Sequence, residues 1–248
     1  MNSRLIAVTL VLVSSIAILA AQSENPPVDV DQAKGWAETS VPVAPEPTDE
    51  QQRSLRAVRS SSFNDVTHTK APLATSDVSD ATVQGMSVYH VRLEPLPASI
   101  SDTIVLGQVV GYQPYLSGDH TAVYTELKIK VDKIVKERTG TIDLSTTISI
   151  PRLGGTVQLP DGRTIRQFVP KAEQMPEVGG VYVFFLNYNQ SLQWFDLVKA
   201  WRIDGESVTP TDAVDAADMT SGKSNFKNMN KSQFLQEVEV AASRPSSH

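Results

Sequence analysis

The feature that most constrains this sequence is a short apolar run at residues 181–186, which reads VYVFFL. Every residue in the run is aromatic, β-branched or leucine, and the turn-forming pair Gly179 and Gly180 precedes it. A run of this length and composition predicts a β-strand that is buried on both faces. Residues 187–191 are polar and residues 192–198 are largely apolar again, so we expect a long hairpin at the centre of the core.

Further strands are predicted by alternation and by glycine-marked turns. Residues 103–112 form an apolar segment in which two glycines indicate a bulge or a sharp bend. Residues 122–131 alternate strictly, which predicts a half-exposed antiparallel strand with a bulge near Asp132. Residues 156–168 read as a small hairpin. About eight short strands of this kind predict an all-β fold, a small antiparallel barrel with short peripheral helices.

The outer face of the alternating strand carries tyrosine and charged side chains. Its members are Tyr124, Glu126, Lys128 and Lys130. We interpret this face as solvated. Positive charge concentrates on and after the strand, at Lys128, Lys130, Lys133, Lys136 and Arg138. The alternative is that this charge marks a docking face for an acidic or glycan partner.

The N-terminus indicates export. Arg4 is the only charged residue in residues 1–21, and residues 5–21 form a charge-free run that ends in small residues. This layout predicts a secretory signal peptide with cleavage near Gln22, and therefore a secreted or periplasmic protein. The alternative is an uncleaved membrane anchor, although the run is at the short end of the roughly 20 residues that a span requires.

The remaining chain divides by composition. Residues 22–85 hold six of the fifteen prolines and no apolar periodicity, which predicts a disordered proline-rich tether. A capping box at Thr48 allows at most a frayed helix there, over residues 49–59. The barrel domain is expected at residues 86–210. Residues 211–248 are predicted to be a polar linker and a C-terminal helix at about residues 231–242, with a capping box of Asn230 and Gln233; this helix either packs on the barrel or stays free.

Charge and composition exclude several functions. The net charge is −6 and the pI is near 5.2, which argues against nucleic acid as a partner because such binding needs a basic face. The absence of cysteine excludes disulfides and thiolate chemistry. The four histidines have no metal-ligand spacing, and no nucleophile motif is present. We therefore predict no catalytic residue, no metal and no cofactor, and a membrane contact only if the signal segment is not cleaved.

The candidate binding site is the stretch at residues 112–120, most of which belongs to a loop predicted at residues 113–121. It follows the first barrel strand, where barrels of this type have one wall of their binding face. Exposed tyrosine and leucine side chains on a loop are typical contact residues. The candidates are Tyr112, Tyr115, Leu116 and His120. The alternatives are that Tyr112 and Leu116 cap the barrel end and that His120 is a solvated loop residue.

Three stretches resemble NTR-like domains, the OB-type barrels of tissue inhibitors of metalloproteinases and of netrins, in the form that bacterial secreted proteins carry. Residues 101–109 resemble the opening strand of that family, residues 125–136 its second strand, and residues 178–186 its glycine-led apolar strand. The resemblance covers residues 88–209 and implies an OB-like barrel with a tendency to bind other molecules. Metalloproteinase inhibitors use an N-terminal cysteine to chelate zinc, which this chain lacks, so the inhibitory mechanism is not implied.

The leading functional hypothesis is an exported, non-enzymatic module that binds a protein, peptide or glycan through loops at one end of the barrel. The first alternative is a structural protein of the cell envelope that its tether positions. The second alternative is a hydrolase without a recognisable motif. Converging polar side chains in a deep pocket would favour the hydrolase, and a shallow aromatic face would favour the binding module.

Overall fold

The structure is a computed structural model, and it describes residues 41–65, 67, 70, 73, 80–84, 93–144, 146–168, 175–222, 224–226 and 229–244. The signal peptide predicted at residues 1–21 lies outside these ranges. The described elements are β1 (Val41–Pro42), α1 (Glu50–Ser61), β2 (Asp80–Gln84), β3 (Thr103–Leu116), β4 (Val123–Glu137), β5 (Thr147–Leu153), β6 (Gly155–Gln158), β7 (Thr164–Phe168), β8 (Val181–Asn189), β9 (Trp194–Asp204), β10 (Ser207–Pro210), α2 (Ala213–Ser221) and α3 (Lys231–Ser243).

The strands form two sheets. Six strands make an antiparallel sheet in the order β10, β9, β8, β3, β4, β5, and four short strands make a second sheet in the order β1, β6, β7, β2. The chain is therefore mostly β, with an antiparallel main sheet and short helices, as the sequence predicts. Closure into a barrel is not confirmed, because β10 and β5 remain the edges of the main sheet among the described strands.

Strand β8 lies between β9 and β3 and is covered on both faces. Phe184 and Phe185 point to opposite faces, and each has an exposed fraction of 0%. Phe184 belongs to an interior cluster that β3, β4, β5, β8 and β9 supply together. Phe185 belongs to a second cluster, on the outer face, that α3 completes. The predicted central strand is confirmed.

The long β3–β4 hairpin is bent by shifts in its pairing. One shift skips Asp132, which confirms the bulge predicted there. Gly107 lies beside that shift, and a Cβ atom on it would come within 2.7 Å of the Lys130 carbonyl oxygen. A side chain at this position would collide with the backbone of β4, so only glycine permits the close approach of the two strands.

The loop predicted at residues 113–121 is shorter than expected. Strand β3 runs on through Pro114 to Leu116, so only residues 117–122 form the tip of the hairpin. Proline is tolerated there because β8 pairs with β3 only as far as Gln108. The later part of β3 therefore has no need of an N–H donor on that side.

The C-terminal helix packs on the main sheet, which the sequence leaves open. Its N-terminus has the predicted capping box of Asn230 and Gln233. Phe234 and Val238 are fully buried, and the Phe234 ring centroid is 5.0 Å from that of Trp201 in β9. The predicted polar linker before it contains α2. No helix in the described part of the chain has the length and apolar character needed to cross a membrane.

Part of the segment predicted as a tether is folded. Within residues 41–65, β1 pairs with β6 and α1 begins after the N-cap Asp49, whose side chain accepts a hydrogen bond from the Gln52 backbone N–H. The helix therefore starts one residue later than the capping box at Thr48 indicates. The physical reason for its order is that its side chains find partners on the main sheet.

Candidate functional site

Helix α1 covers a part of the outer face of β4 that the sequence indicates is solvated. Tyr124 has an exposed fraction of 0% and Glu126 of 3%. Lys130, further along the same face, is exposed as expected. The prediction of a solvated face is therefore wrong over Tyr124 and Glu126, because α1 and the residues that follow it lie on them.

Four aromatic rings form a continuous stack at this contact, which we call the aromatic column. Phe63, just after α1, stacks on Tyr124 with centroids 4.4 Å apart and rings inclined by 9°. Tyr115 of β3 lies on the other side of Tyr124 at 5.2 Å. Trp194 of β9 lies 5.9 Å from Phe63 at an angle of 57°. Phe63 thus occupies a slot between two rings of the main sheet.

Arginines of α1 lie on the two end rings of the aromatic column. The Arg56 guanidinium carbon is 4.7 Å from the Tyr115 ring centroid. The Arg59 guanidinium carbon is 5.4 Å from the Trp194 ring centroid. A cation over an aromatic face is attracted by the ring quadrupole, more strongly where water is excluded. Arg56 also donates to the carbonyls of Ala44 and Pro45, which ties the preceding segment to the helix.

Arg59 is held by a set of acceptors that we call the guanidinium cradle. Its Nε donates to the Leu192 carbonyl at 2.7 Å and its Nη2 to the Gln193 carbonyl at 2.6 Å. Its Nη1 is 3.2 Å from Oε2 of Glu126. The Ser149 hydroxyl donates to the same Glu126 oxygen at 2.9 Å. Two carbonyls, a carboxylate and a ring face together fit a planar, multidentate guanidinium better than a point charge.

The backbone of the β8–β9 turn is arranged for this contact. Gln193 has a φ of 49°, a left-handed conformation that is uncommon for a residue other than glycine. The carbonyl of Gln193 and that of Leu192 both accept from Arg59. Backbone held in a sparsely populated region persists where the surroundings fix it, and such positions concentrate at functional sites.

The tip of the β3–β4 hairpin joins the segment after α1 through Asp119. The Asp65 backbone N–H donates to the Asp119 carboxylate at 2.8 Å, and the Asp119 backbone N–H donates to Asn64 at 3.0 Å. Partial burial alone would raise the pKa of Asp119. Hydrogen bonds from Ser117, Thr121 and the Asp65 backbone outweigh that effect and lower the pKa to about 2.

The four residues predicted to bind are separated by the fold. Tyr115 lies in the aromatic column. Tyr112, three residues away on the same strand, points to the opposite face and packs against the interior cluster. Leu116 packs against the small cluster under the second sheet. His120 is exposed at the hairpin tip with a φ of 60°, and its carbonyl accepts from the Leu73 backbone N–H.

Two polar atoms of the aromatic column lack hydrogen-bond partners among the described residues. They are the hydroxyl of Tyr124 and the indole nitrogen of Trp194, and both are buried. Burial raises the pKa of the Tyr124 phenol, and Glu126 adds to the effect against the opposing charges of Arg56 and Arg59. The Tyr124 phenol is therefore neutral at physiological pH and is able to donate a hydrogen bond.

The central residues of this site are not those that the sequence analysis selected. They are Arg56, Arg59, Phe63, Tyr124, Glu126 and Trp194. A signal is present in retrospect: Arg56 and Arg59 are spaced by three residues, which places them on one side of a helix, and Phe63 follows four residues after Arg59, just beyond the helix end. Glu126 is the acidic residue that they meet on the facing strand.

The described residues contain no group of three or more histidine, aspartate or glutamate side chains that would hold a metal ion. Comparisons with models of protein families, with curated proteins and with solved structures found no match to the chain.

Proposed function

We propose that this protein is a non-enzymatic binding module that takes a polypeptide segment of a partner against the aromatic column. The observation that supports the proposal is that the chain's own segment at residues 50–63 is bound there with the chemistry of a recognition interface. Arginine, tyrosine and tryptophan, which meet at this site, are the residues that dominate binding energy between proteins. The two buried polar atoms that lack partners among the described residues are places where a ligand supplies hydrogen bonds.

A photo-crosslinking experiment tests this proposal. A benzophenone side chain placed at position 191, which is exposed in the β8–β9 turn beside the cradle, should give a discrete adduct in cells of the natural host. The matched control carries the same group at Val240, which is 43% exposed on α3. Equal labelling at both positions, or no adduct at position 191, would show that the partner does not bind at this site.

We also propose that the main sheet is an OB-like barrel of the NTR-like kind. The interior cluster is supplied by five strands of one sheet, so the sheet curls around its own core. Strand β5, at one edge, lies close to β9 near the other edge. Nuclear Overhauser contacts between Ile150 of β5 and Phe195 of β9 would support the barrel, and a flat sheet without them would contradict it.

For localisation, we propose export by residues 1–21. The support is the charge-free run after Arg4. Mass spectrometry of the protein from its natural host should find an N-terminus near Gln22. Recovery of a protein that still begins with Met1 from the membrane fraction would contradict cleavage and would favour an uncleaved membrane anchor.

A further inference from the structure

Helix α1 packs on the sheet without burying any residue of its own, so it can detach from the sheet. None of its twelve residues is buried. An isolated helix of this length is marginal in water, so its order depends on the contacts that it makes. Its side-chain contacts with the sheet are concentrated in Arg59 and Arg56, and the backbone of Gly118 adds one hydrogen bond to the Ser60 carbonyl. The residues just after it, Phe63, Asn64 and Asp65, make the remaining contacts of this segment.

The guanidinium cradle and the slot beside it define the side chains that a ligand of this site must carry. The guanidinium cradle matches the fork of an arginine, and lysine would offer a single charged group in its place. The slot between Tyr124 and Trp194 accepts a ring. Arg59 lies in the last turn of α1, and Phe63 lies two residues after the helix ends. A ligand of this site is therefore a helical segment that carries arginine in its last turn and an aromatic side chain four residues later, just beyond the end of the helix.

We infer that residues 50–63 are an internal ligand that competes with a helical segment of a partner protein carrying this arginine–aromatic pattern. The inference rests on the proposed function and names the ligand and the regulation of the same site. While the internal segment is bound, it blocks the cradle and the slot. The partner gains access only when α1 is displaced.

The partner is a different protein rather than a second copy of this chain. A second copy would bring the same segment and would leave the Tyr124 hydroxyl and the Trp194 indole nitrogen as they are now, without partners among the described residues. A different segment with an acceptor near these atoms forms hydrogen bonds that the internal ligand lacks. Those bonds favour the partner over a tethered competitor, whose effective concentration is on the order of millimolar.

Fluorescence anisotropy on the full chain tests the inference. The probe is a labelled synthetic peptide of residues 45–65, titrated with the parent protein and with an Arg59→Ala, Phe63→Ala double variant. The double variant should bind the probe at least ~10-fold more tightly, because its internal segment no longer competes. Equal affinities, or no binding to the double variant, would overturn internal competition.

Matched changes test the ligand chemistry. Probes with Arg59→Lys or with Phe63→Ala should each bind the double variant at least ~10-fold more weakly, since one loses the fork and the other loses the ring. Glu126→Gln, added to the double variant, should weaken binding of the unmodified probe. A lysine probe that binds as tightly as the arginine probe would overturn the assignment of the cradle.

Light scattering on the parent protein at the titration concentrations should show a monomer. A dimer that dissociates in the double variant would make a second copy the occupant and would overturn the assignment to a separate partner. If the peptide titrations fail but the crosslink at position 191 appears, the binding module stands and only the internal ligand is wrong.

Discussion

Two of the helices that cover the outer face of the main sheet, α1 and α3, do so by different chemistry. Helix α3 inserts Phe234 and Val238, both fully buried, into a cluster with Trp201. Helix α1 buries none of its own residues and is held by Arg59 and by the ring of Phe63. The first contact resembles a protein core and the second resembles an interface between two proteins.

This difference indicates that the stability of the domain does not depend on whether α1 occupies the site. Removing α3 would expose the apolar outer cluster to water, which opposes folding of the whole sheet. Removing α1 and Phe63 exposes Glu126, which water solvates well, together with the rings of Tyr124 and Trp194. The domain should therefore survive the loss of α1 and should not survive the loss of α3.

The largest expected effect is that of Phe234→Ala. Truncating this fully buried ring should lower the free energy of unfolding by about 3–5 kcal/mol, measured by denaturant titration. Phe63→Ala should change the main unfolding transition far less, because α1 detaches before the sheet unfolds. Gln236→Ala, on the exposed side of α3, is the matched control. Equal losses for Phe63→Ala and Phe234→Ala would abolish the distinction between the two helices.

Arg59→Ala should release α1 while the sheet stays folded. Hydrogen bonds to charged groups contribute about 1.5–3 kcal/mol, so the open population of α1 should rise at least ~10-fold. Trypsin cleavage after Arg53 and Arg56 should accelerate by the same factor, since cleavage follows the open population. Arg163→Ala, in the hairpin turn beside Asp161, should leave these rates unchanged. Unaltered cleavage in Arg59→Ala would mean that the cradle does not hold the helix.

A smaller effect on stability is expected when the Asp119 carboxylate is protonated at low pH. Its folded pKa of about 2 lies below the ordinary value of 3.8, so its stabilising contribution is present above about pH 4 and is lost as the pH falls through 2. Asp119→Asn should lower the stability by about 1 kcal/mol at pH 6 after solvent screening, and the loss should become small at about pH 2 and vanish below it. Asp204→Asn, exposed in the β9–β10 turn, is the control. A loss that does not depend on pH would assign Asp119 a purely steric role.

The smallest effect is expected at the ion pair of α3. Lys133 and Glu239 are 2.6 Å apart, but both side chains are 50% exposed. A double-mutant cycle to alanine should give a coupling of about 0.2–1 kcal/mol, which salt should reduce further. The same cycle on Arg59 and Glu126, read from trypsin cleavage, should give a larger coupling. Reversed magnitudes would show that burial does not govern these two pairs.

Local patterns in the sequence account for much of the fold. The central strand β8, the bulge at Asp132 and the capping box of α3 each depend on residues close in sequence, and all are confirmed. The hairpin of β6 and β7 also forms where its turn residues predict it. Closure into a barrel depends on how distant strands approach one another, which alternation within a strand does not encode.

The candidate site was predictable only in part, because its contacts join distant parts of the chain. Tyr115 is the one predicted residue that lies in the aromatic column. Tyr124 and Glu126 alternate with apolar residues as solvated residues do, and nothing in β4 indicates what covers them. Arg59 contacts Glu126 across 67 residues, and a composition rich in proline directs attention away from the segment that carries it.

The order in which the chain is made adds a last consequence. Arg59 bonds to the Leu192 carbonyl, 133 residues later, so the internal ligand leaves the ribosome on the order of ten seconds before its site exists. Nascent α1 is an unbound basic segment throughout that time, whereas α3 emerges after the surface that receives it. In refolding from denaturant, docking of α1 should follow assembly of β4 and β9, because these strands supply its site. A probe on α1 that reports docking before Trp201 is buried would contradict this sequence of events.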